Sequence, residues 1–285
     1  MTQEISIIIP CYRMENYIER SIRSLLAQTY PHWRAIIISD DGIDYIELLK
    51  KLGIEDKRLK LVYTGGVATG VSCARNTGLR ACQTDYIATL DGDDAFAPDR
   101  LEKIVPLLDE HPLIMTDLLY IDDKTQEAIF KHKLLETNQL VDLNNCHKIM
   151  LYGAATWAFN KKIIPTLWKE NIKAIEDSLW TIKAYDYVEA VYFITEPSYY
   201  YYRRNNSLAH SSNTPQLFQQ AKQKILNDIA NGNLSVIKQS TKDYAIKFFN
   251  LSLETEKEYE RQLNAGKDVI YPNLFIEKLT ESINL

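Results

Sequence analysis

Tyr86-Ile87-Ala88-Thr89-Leu90-Asp91-Gly92-Asp93-Asp94 is the stretch on which the fold turns. Five residues without a charge run directly into three carboxylates and a glycine. An uncharged run of that kind suits a strand buried on both faces, as in a parallel sheet. The same pattern recurs upstream. Ile5-Ser6-Ile7-Ile8-Ile9 stops at Pro10, and Ala35-Ile36-Ile37-Ile38 runs into Ser39-Asp40-Asp41-Gly42. Leu59-Lys60-Leu61-Val62-Tyr63 alternates like a further strand. Between these runs, apolar residues at helical spacing predict helices over 16–28, 44–52 and 71–81, and Pro98-Asp99 opens another. Strands alternating with helices imply an α/β fold with parallel pairing and right-handed crossovers. In such sheets ligands gather beyond the carboxyl ends of the strands. Polar loops at 10–15, 39–42 and 91–94 therefore line one edge of a single cleft.

The remaining sequence is less regular. It predicts a strand near 154–159, helices over 161–168 and 177–187, and a strand at Val191-Tyr192-Phe193-Ile194. Four tyrosines at 199–202 precede Arg203-Arg204, and after Pro215 the composition turns to Gln, Lys, Asn and Glu with helical periodicity. The division expected is a main α/β domain over 1–215, its regular part at 1–115 and its less regular part at 116–215, and a helical C-terminal extension over 216–285. The extension has a peripheral membrane face, a second copy of the chain or the protein's own core as docking partners. Its scattered lysines are offset by Glu254, Glu256, Glu258 and Glu260, which favours a protein-facing role.

Composition narrows the function classes. Of 285 residues, 46% are hydrophobic and 25% charged, which is globular rather than disordered. A net charge of −5 gives no basic surplus for nucleic acid. Cys11, Cys73, Cys82 and Cys146 form no C-x-x-C pair, so neither a zinc ribbon nor a thioredoxin-type site is expected. The start lacks a signal-peptide pattern and no run reaches the ~18 apolar residues of a membrane span. A cytoplasmic protein is expected.

Four groups of residues could carry chemistry. Asp91, Asp93 and Asp94 crowd the end of a strand, where carboxylates can meet a ribose hydroxyl and a hard divalent cation. Mg²⁺ and Mn²⁺ prefer oxygen ligands and keep phosphate oxygens in their shell. Asp41 ends another strand and could accept from a nucleobase N–H. Glu176-Asp177 begins a helix, where capping competes with a general-base role. His210 lies in a polar stretch and has the chemistry of a metal ligand.

Seven segments in order resemble the family 2 glycosyltransferases and their A-type, Rossmann-like nucleotide-binding fold. They are ISIIIPCY at 5–12, SLLAQTY at 24–30, SDDG at 39–42, GVSCARNTGL at 70–79, YIATLDGDD at 86–94, PDRL at 98–101 and IEDSL at 175–179. The resemblance spans residues 5 to about 210 and implies a catalytic domain over 1–215, with a nucleotide-sugar-binding half at 1–115 and an acceptor-side half at 116–215. It implies a sugar transfer from a nucleotide diphosphate sugar, a UDP-sugar in the first instance, to an acceptor hydroxyl with inversion. It implies that Pro10 and Tyr12 line the base pocket, that Asp41 contacts the base and that Arg75 and Asn76 stand on the diphosphate side. Asp91 would meet the ribose, Asp93 and His210 a divalent cation (Mn²⁺ or Mg²⁺), and Asp177 would be the catalytic base. A saccharide or lipid-linked saccharide acceptor, in surface polysaccharide or lipooligosaccharide synthesis, follows from the same resemblance. Arg13 stands where the family often has Asn, and Ile43 where it usually has Ser or Thr. Two other classes share some of these features. A sugar-nucleotide nucleotidyltransferase would want a Gly-rich basic loop after the first strand, which Pro10-Cys11-Tyr12 is not. A non-catalytic nucleotide-sugar-binding protein would not need Asp93 and Asp177.

Overall fold

The computed structural model describes residues 3–131, 134–150, 156–204 and 214–265, with 275, 277, 278 and 282. Its first half is the alternating unit the sequence predicts. Strands β1 (Ile5–Cys11), β2 (Trp33–Ser39), β3 (Leu59–Tyr63) and β4 (Tyr86–Thr89) pair in parallel in the order β3-β2-β1-β4. The two central strands are buried almost throughout. Helix α1 (Ile18–Leu26) buries Ile18, Ser21, Ile22 and Leu25, a one-sided apolar stripe. Helix α2 (Tyr45–Lys51) starts at Asp44, whose carboxylate accepts from the Glu47 N–H at 2.9 Å. Helix α3 (Val71–Ala81) approaches the sheet through Gly78. A Cβ there would lie 2.7 Å from Ile8 Cγ2 and 2.8 Å from Ile38 Cδ1, so only glycine allows this seating.

Beyond β4 the sheet continues with mixed direction. The elements are β5 (Ala95–Phe96), α4 (Arg100–Ile104), β6 (Leu113–Asp122), β7 (Ala128–Lys131), β8 (Gln139–Asp142), α5 (His147–Met150), β9 (Ala158–Asn160), α6 (Glu176–Ala184) and β10 (Ala190–Arg203). Strand β9 runs antiparallel between β4 and β6, β10 is parallel to β6, and β5 closes the path antiparallel to β10. β7 and β8 add to β6 and β10. Strand β10 takes in the tyrosine run, pairing Tyr199 and Tyr200 with β6 on one side and β5 on the other.

The helix expected over 161–168 is absent. Pro165 removes a backbone donor there, and the buried Asn76 side chain takes the backbone instead. It accepts from Trp168 N–H at 2.9 Å and donates to Trp168 C=O at 2.8 Å. The C-terminal extension forms α7 (Thr214–Ala230) and α8 (Gln239–Asn264). Ala221, Ile225, Ile229, Phe248 and Phe249 join the apolar cluster that holds Trp157 and Trp180. Asp186, just after α6, accepts the backbone N–H groups of Ile237 and Lys238 at 2.8 and 3.0 Å. Of the docking partners open to the extension, the structure shows the core of its own chain. Among the described residues no helix is long and apolar enough to cross a membrane.

Candidate active site

The carboxyl ends of β1, β2 and β4 meet, as the polar loops predict. The turn after β4 is closed by Asp94 N–H donating to the Asp91 carbonyl at 3.0 Å. Gly92 lies so close to β1 that a Cβ would stand 3.1 Å from the Pro10 carbonyl and 3.2 Å from Cys11 Sγ. Asp94 is 1% exposed and accepts from Tyr199 Oη and Tyr202 N–H, both at 2.9 Å. Tyr199 Oη in turn accepts from Asp91 N–H at 3.1 Å. Burial, then the charges of Asp93 and Asp91, push the Asp94 carboxyl well above the usual carboxylate range. Asp94 thus builds the turn, while Asp91 and Asp93 keep part of their side chains exposed.

Asp93 is ion-paired with Arg204, whose guanidinium lies 4.4 Å from the Tyr17 ring centroid. Arg20 donates to the Asp93 carbonyl at 2.6 Å and pairs with Asp123 at 2.7 Å. Burial raises the Asp93 carboxyl against the pull of Arg204. Asp41 serves the other side of the cleft. It accepts from Arg13 N–H (2.6 Å), Tyr45 Oη (2.8 Å), Ser39 Oγ (3.0 Å) and Ile43 N–H (3.1 Å). Burial works against its charge, but these bonds hold it below its ordinary value. They use about the four acceptor positions a carboxylate has, so Asp41 shapes the loops beside Pro10 and Tyr12. Arg13 sits at φ 58°, a left-handed conformation that Asn favours over Arg, and its guanidinium lies 5.1 Å from the Tyr12 ring centroid. Asp40 is turned inward and latches the 64–70 loop through Thr64 Oγ1, Thr69 and Gly70 N–H.

Arg75 joins the two halves. Its side chain is 2% exposed, and it contacts Asp91 at 3.0 Å, Glu176 at 3.0 Å and Asp177 at 2.7 Å. Asp177 is not the helix cap. Ile175 occupies the N-cap at φ 54°, which strains a β-branched residue by about 1–3 kcal/mol. Asp177 lies in the first turn, and burial and then Glu176 push its carboxyl well up, with Arg75 opposing. Beside it lies a small cleft of about 20 Å³, partly open to solvent and lined by Met115, Leu118, Met150 and Trp157 with Ser178 and Thr181. Asn76 does not join this group. Its amide, expected on the diphosphate side, is engaged with Trp168 and Glu170. His210 lies outside the described residues.

The carboxylate turn after β4 and the acidic pair at the start of α6 are therefore joined through Arg75. The description Glycosyl transferase family 2 fits residues 6–168, more than half of the chain. The chain belongs to glycosyl transferase family 2. Two relatives of this family 2 member are similar to parts of the chain. The Escherichia coli UDP-Glc:alpha-D-GlcNAc-diphosphoundecaprenol beta-1,3-glucosyltransferase WfgD is 38% identical over 104 residues, 36% of this chain and 40% of the relative. The Bacillus subtilis minor teichoic acid biosynthesis protein GgaB is 27% identical over 181 residues, 61% of this chain and 20% of the relative. Against two further curated relatives the chain spans 45% and 65% of their lengths. The crystal structure of S. aureus TarS 1-349 in complex with UDP shares the fold, with a TM-score of 0.65, 20% identity, and 87% and 70% of the two chains covered.

Sequence reading of this family 2 chain passed over Glu176, Tyr199 and Arg204 as site residues. Glu176 was legible only as part of an acidic pair. Tyr199 lies on β10 and Arg204 directly follows it, and their pairing with Asp94 and Asp93 depends on strand register that no local pattern encodes.

Proposed function

We propose that this chain moves a sugar from a UDP-sugar to a hydroxyl of a saccharide or lipid-linked saccharide, inverting the anomeric centre, in surface polysaccharide or lipooligosaccharide synthesis. One observation carries the reading. Asp91, at the carboxyl end of a nucleotide-type parallel sheet, and Asp177, facing the apolar cleft, are held by a single buried guanidinium. Donor ribose and acceptor hydroxyl then lie on either side of one fixed ion-pair network. Pro10 and Tyr12 line the base pocket that Asp41 borders, and Asp91 accepts from the ribose. Asp177 takes the proton of the attacking hydroxyl. A carboxylate raised above its usual range is a stronger base once ionised, which suits that step. The apolar wall of Met115, Met150 and Trp157 limits the water that can reach this carboxyl.

A divalent cation fits this site through one protein carboxylate and the donor's own oxygens. Among the described residues no group of three or more His, Cys, Asp or Glu side chains is arranged to hold a metal by itself. Mg²⁺ and Mn²⁺ commonly take one or two carboxylates and complete their shells with phosphate oxygens and water. Asp93 already meets a cation, Arg204, in a crowd of negative charge. With His210 as a second candidate ligand, Asp93 would hold the ion. When bound it supplies Lewis-acid neutralisation of the departing diphosphate.

The test separates binding from transfer. Asp177→Asn is expected to fold, to bind UDP with Mn²⁺ as the native chain does, and to lose about 10²–10⁴-fold in turnover of a UDP-sugar. UDP is expected to bind at least tenfold tighter than GDP, about 1.4 kcal/mol by calorimetry. Unchanged turnover removes Asp177 from the mechanism, and a preference for GDP reverses the donor assignment.

A further inference from the structure

Among the described residues Arg75 is the one cation that touches both the donor-side turn and the helix carrying the base, and its surroundings assign it a task other than holding phosphate. Nη1 donates to Glu176 at 3.0 Å and to Asp177 at 2.7 Å, while Nη2 donates to Asp91 at 3.0 Å. Both terminal nitrogens thus have carboxylate partners, and the side chain is 2% exposed. Its helix is seated by the close approach of Gly78 to Ile8 and Ile38, which leaves α3 little freedom to slide. On the other side, the left-handed backbone at Ile175 turns the first residues of α6 toward that guanidinium. Strain of this kind persists only where the surroundings over-determine it.

We propose that Arg75 is a positioning residue for Asp177, locking the base to the Asp91 turn across the two halves of the sheet, with Glu176 as the second carboxylate on the same Nη1. The inference rests on Asp177 being the base. A planar guanidinium spans three carboxylates with fixed directions, which the point charge of a lysine cannot do. The charged groups facing Asp177 are Glu176 on its own helix, Arg75 from α3 and Asp91 from the β4 turn. Asp177 also borders the small cleft that Met115, Leu134, Met150 and Trp157 line. One positive charge thus stands among three carboxylates. Glu176 opposes ionisation of Asp177 and Arg75 favours it, so the two neighbours set the base in opposite directions.

Titration of the full-length chain decides the matter without an acceptor. Aspartate carboxyls are labelled with ¹³C, and the Asp177 signal is assigned by its loss in Asp177→Asn. Arg75→Gln is expected to raise the apparent pKa of Asp177 by about 1–3 units, and Glu176→Gln to lower it. Arg75→Lys is expected to restore part of the shift. UDP affinity with Mn²⁺ is expected to stay within about threefold in all three. An Asp177 titration unmoved by Arg75→Gln, with UDP binding weakened tenfold or more, would place Arg75 in the nucleotide site and overturn the proposal. If Arg75→Gln does not fold, Glu176→Gln decides alone, because an unmoved titration there also overturns it. Failure of the base assignment itself would show elsewhere, as undiminished turnover by Asp177→Asn.

Discussion

Asp177 couples activity to stability with opposite signs. Its folded pKa is raised above the unfolded value of about 4. A carboxyl raised in this way contributes stability that is fully present below the unfolded pKa and is lost as pH rises through the folded one. Transfer needs the ionised form, so turnover rises over the window in which that stability is lost. Asp177→Asn cannot ionise. Its stability relative to the native chain is therefore expected to improve as pH rises above the unfolded value of about 4, read from urea midpoints. A constant difference would mean that Asp177 titrates as an ordinary carboxyl. Asp93 makes a different residue-scale prediction. Its neighbours Arg204 and Asp91 act on charge, so Asp93→Asn preserves shape and removes the anion. UDP affinity with Mn²⁺ is expected to fall at least tenfold, about 1.4 kcal/mol, with little change in the presence of a chelator. Equal weakening in both conditions would place Asp93 on the nucleotide rather than on a cation.

At the scale of elements, α3 is the member that aligns the site. It was legible to the residue, because Gly70 precedes it and its apolar positions repeat at helical spacing. What the pattern did not show is that Gly78 faces the sheet. A side chain there meets Ile8 and Ile38, both fully buried. Gly78→Val is expected to cost about 1–3 kcal/mol as overpacking, seen as a lower urea midpoint at unchanged slope. Because Arg75 lies one turn earlier on α3, the same change should reduce turnover more than UDP affinity. The irregular span 161–168 shows the reverse case. Its composition allowed a helix, but Pro165 and the amide of Asn76 gave the backbone a better set of partners.

The whole molecule is held together across its sheet and by its C-terminal helices. One apolar cluster runs from Ile8 and Ile38 through Trp157, Trp168 and Trp180 to Ile225 and Phe249. Tyr244 Oη accepts from His147 N–H at 3.2 Å, adding a polar tie between α8 and α5. A chain ending at Pro215 would uncover this surface. It is expected to lose cooperative thermal unfolding and to aggregate, measured by calorimetry and light scattering. A truncated chain that melts like the full one would make the extension a separate unit.

The sequence by itself determined the parallel half of the sheet, the strand ends where polar residues gather, and the identities of Asp91, Asp93 and Asp177 as candidates. These are local properties. Uncharged runs, helical spacing and turn residues act over a few positions and need no partner to be read. Tertiary structure alone decided that Asp94 is an inward-facing scaffold, that Asn76 holds a loop, that Arg204 faces Asp93 and that Arg75 binds three carboxylates. Each of these depends on contacts between residues far apart in the chain, such as Arg75 with Asp177 and Asp94 with Tyr199. The energy of a buried charge is set by whichever groups packing brings beside it, and that neighbourhood is written in no single segment.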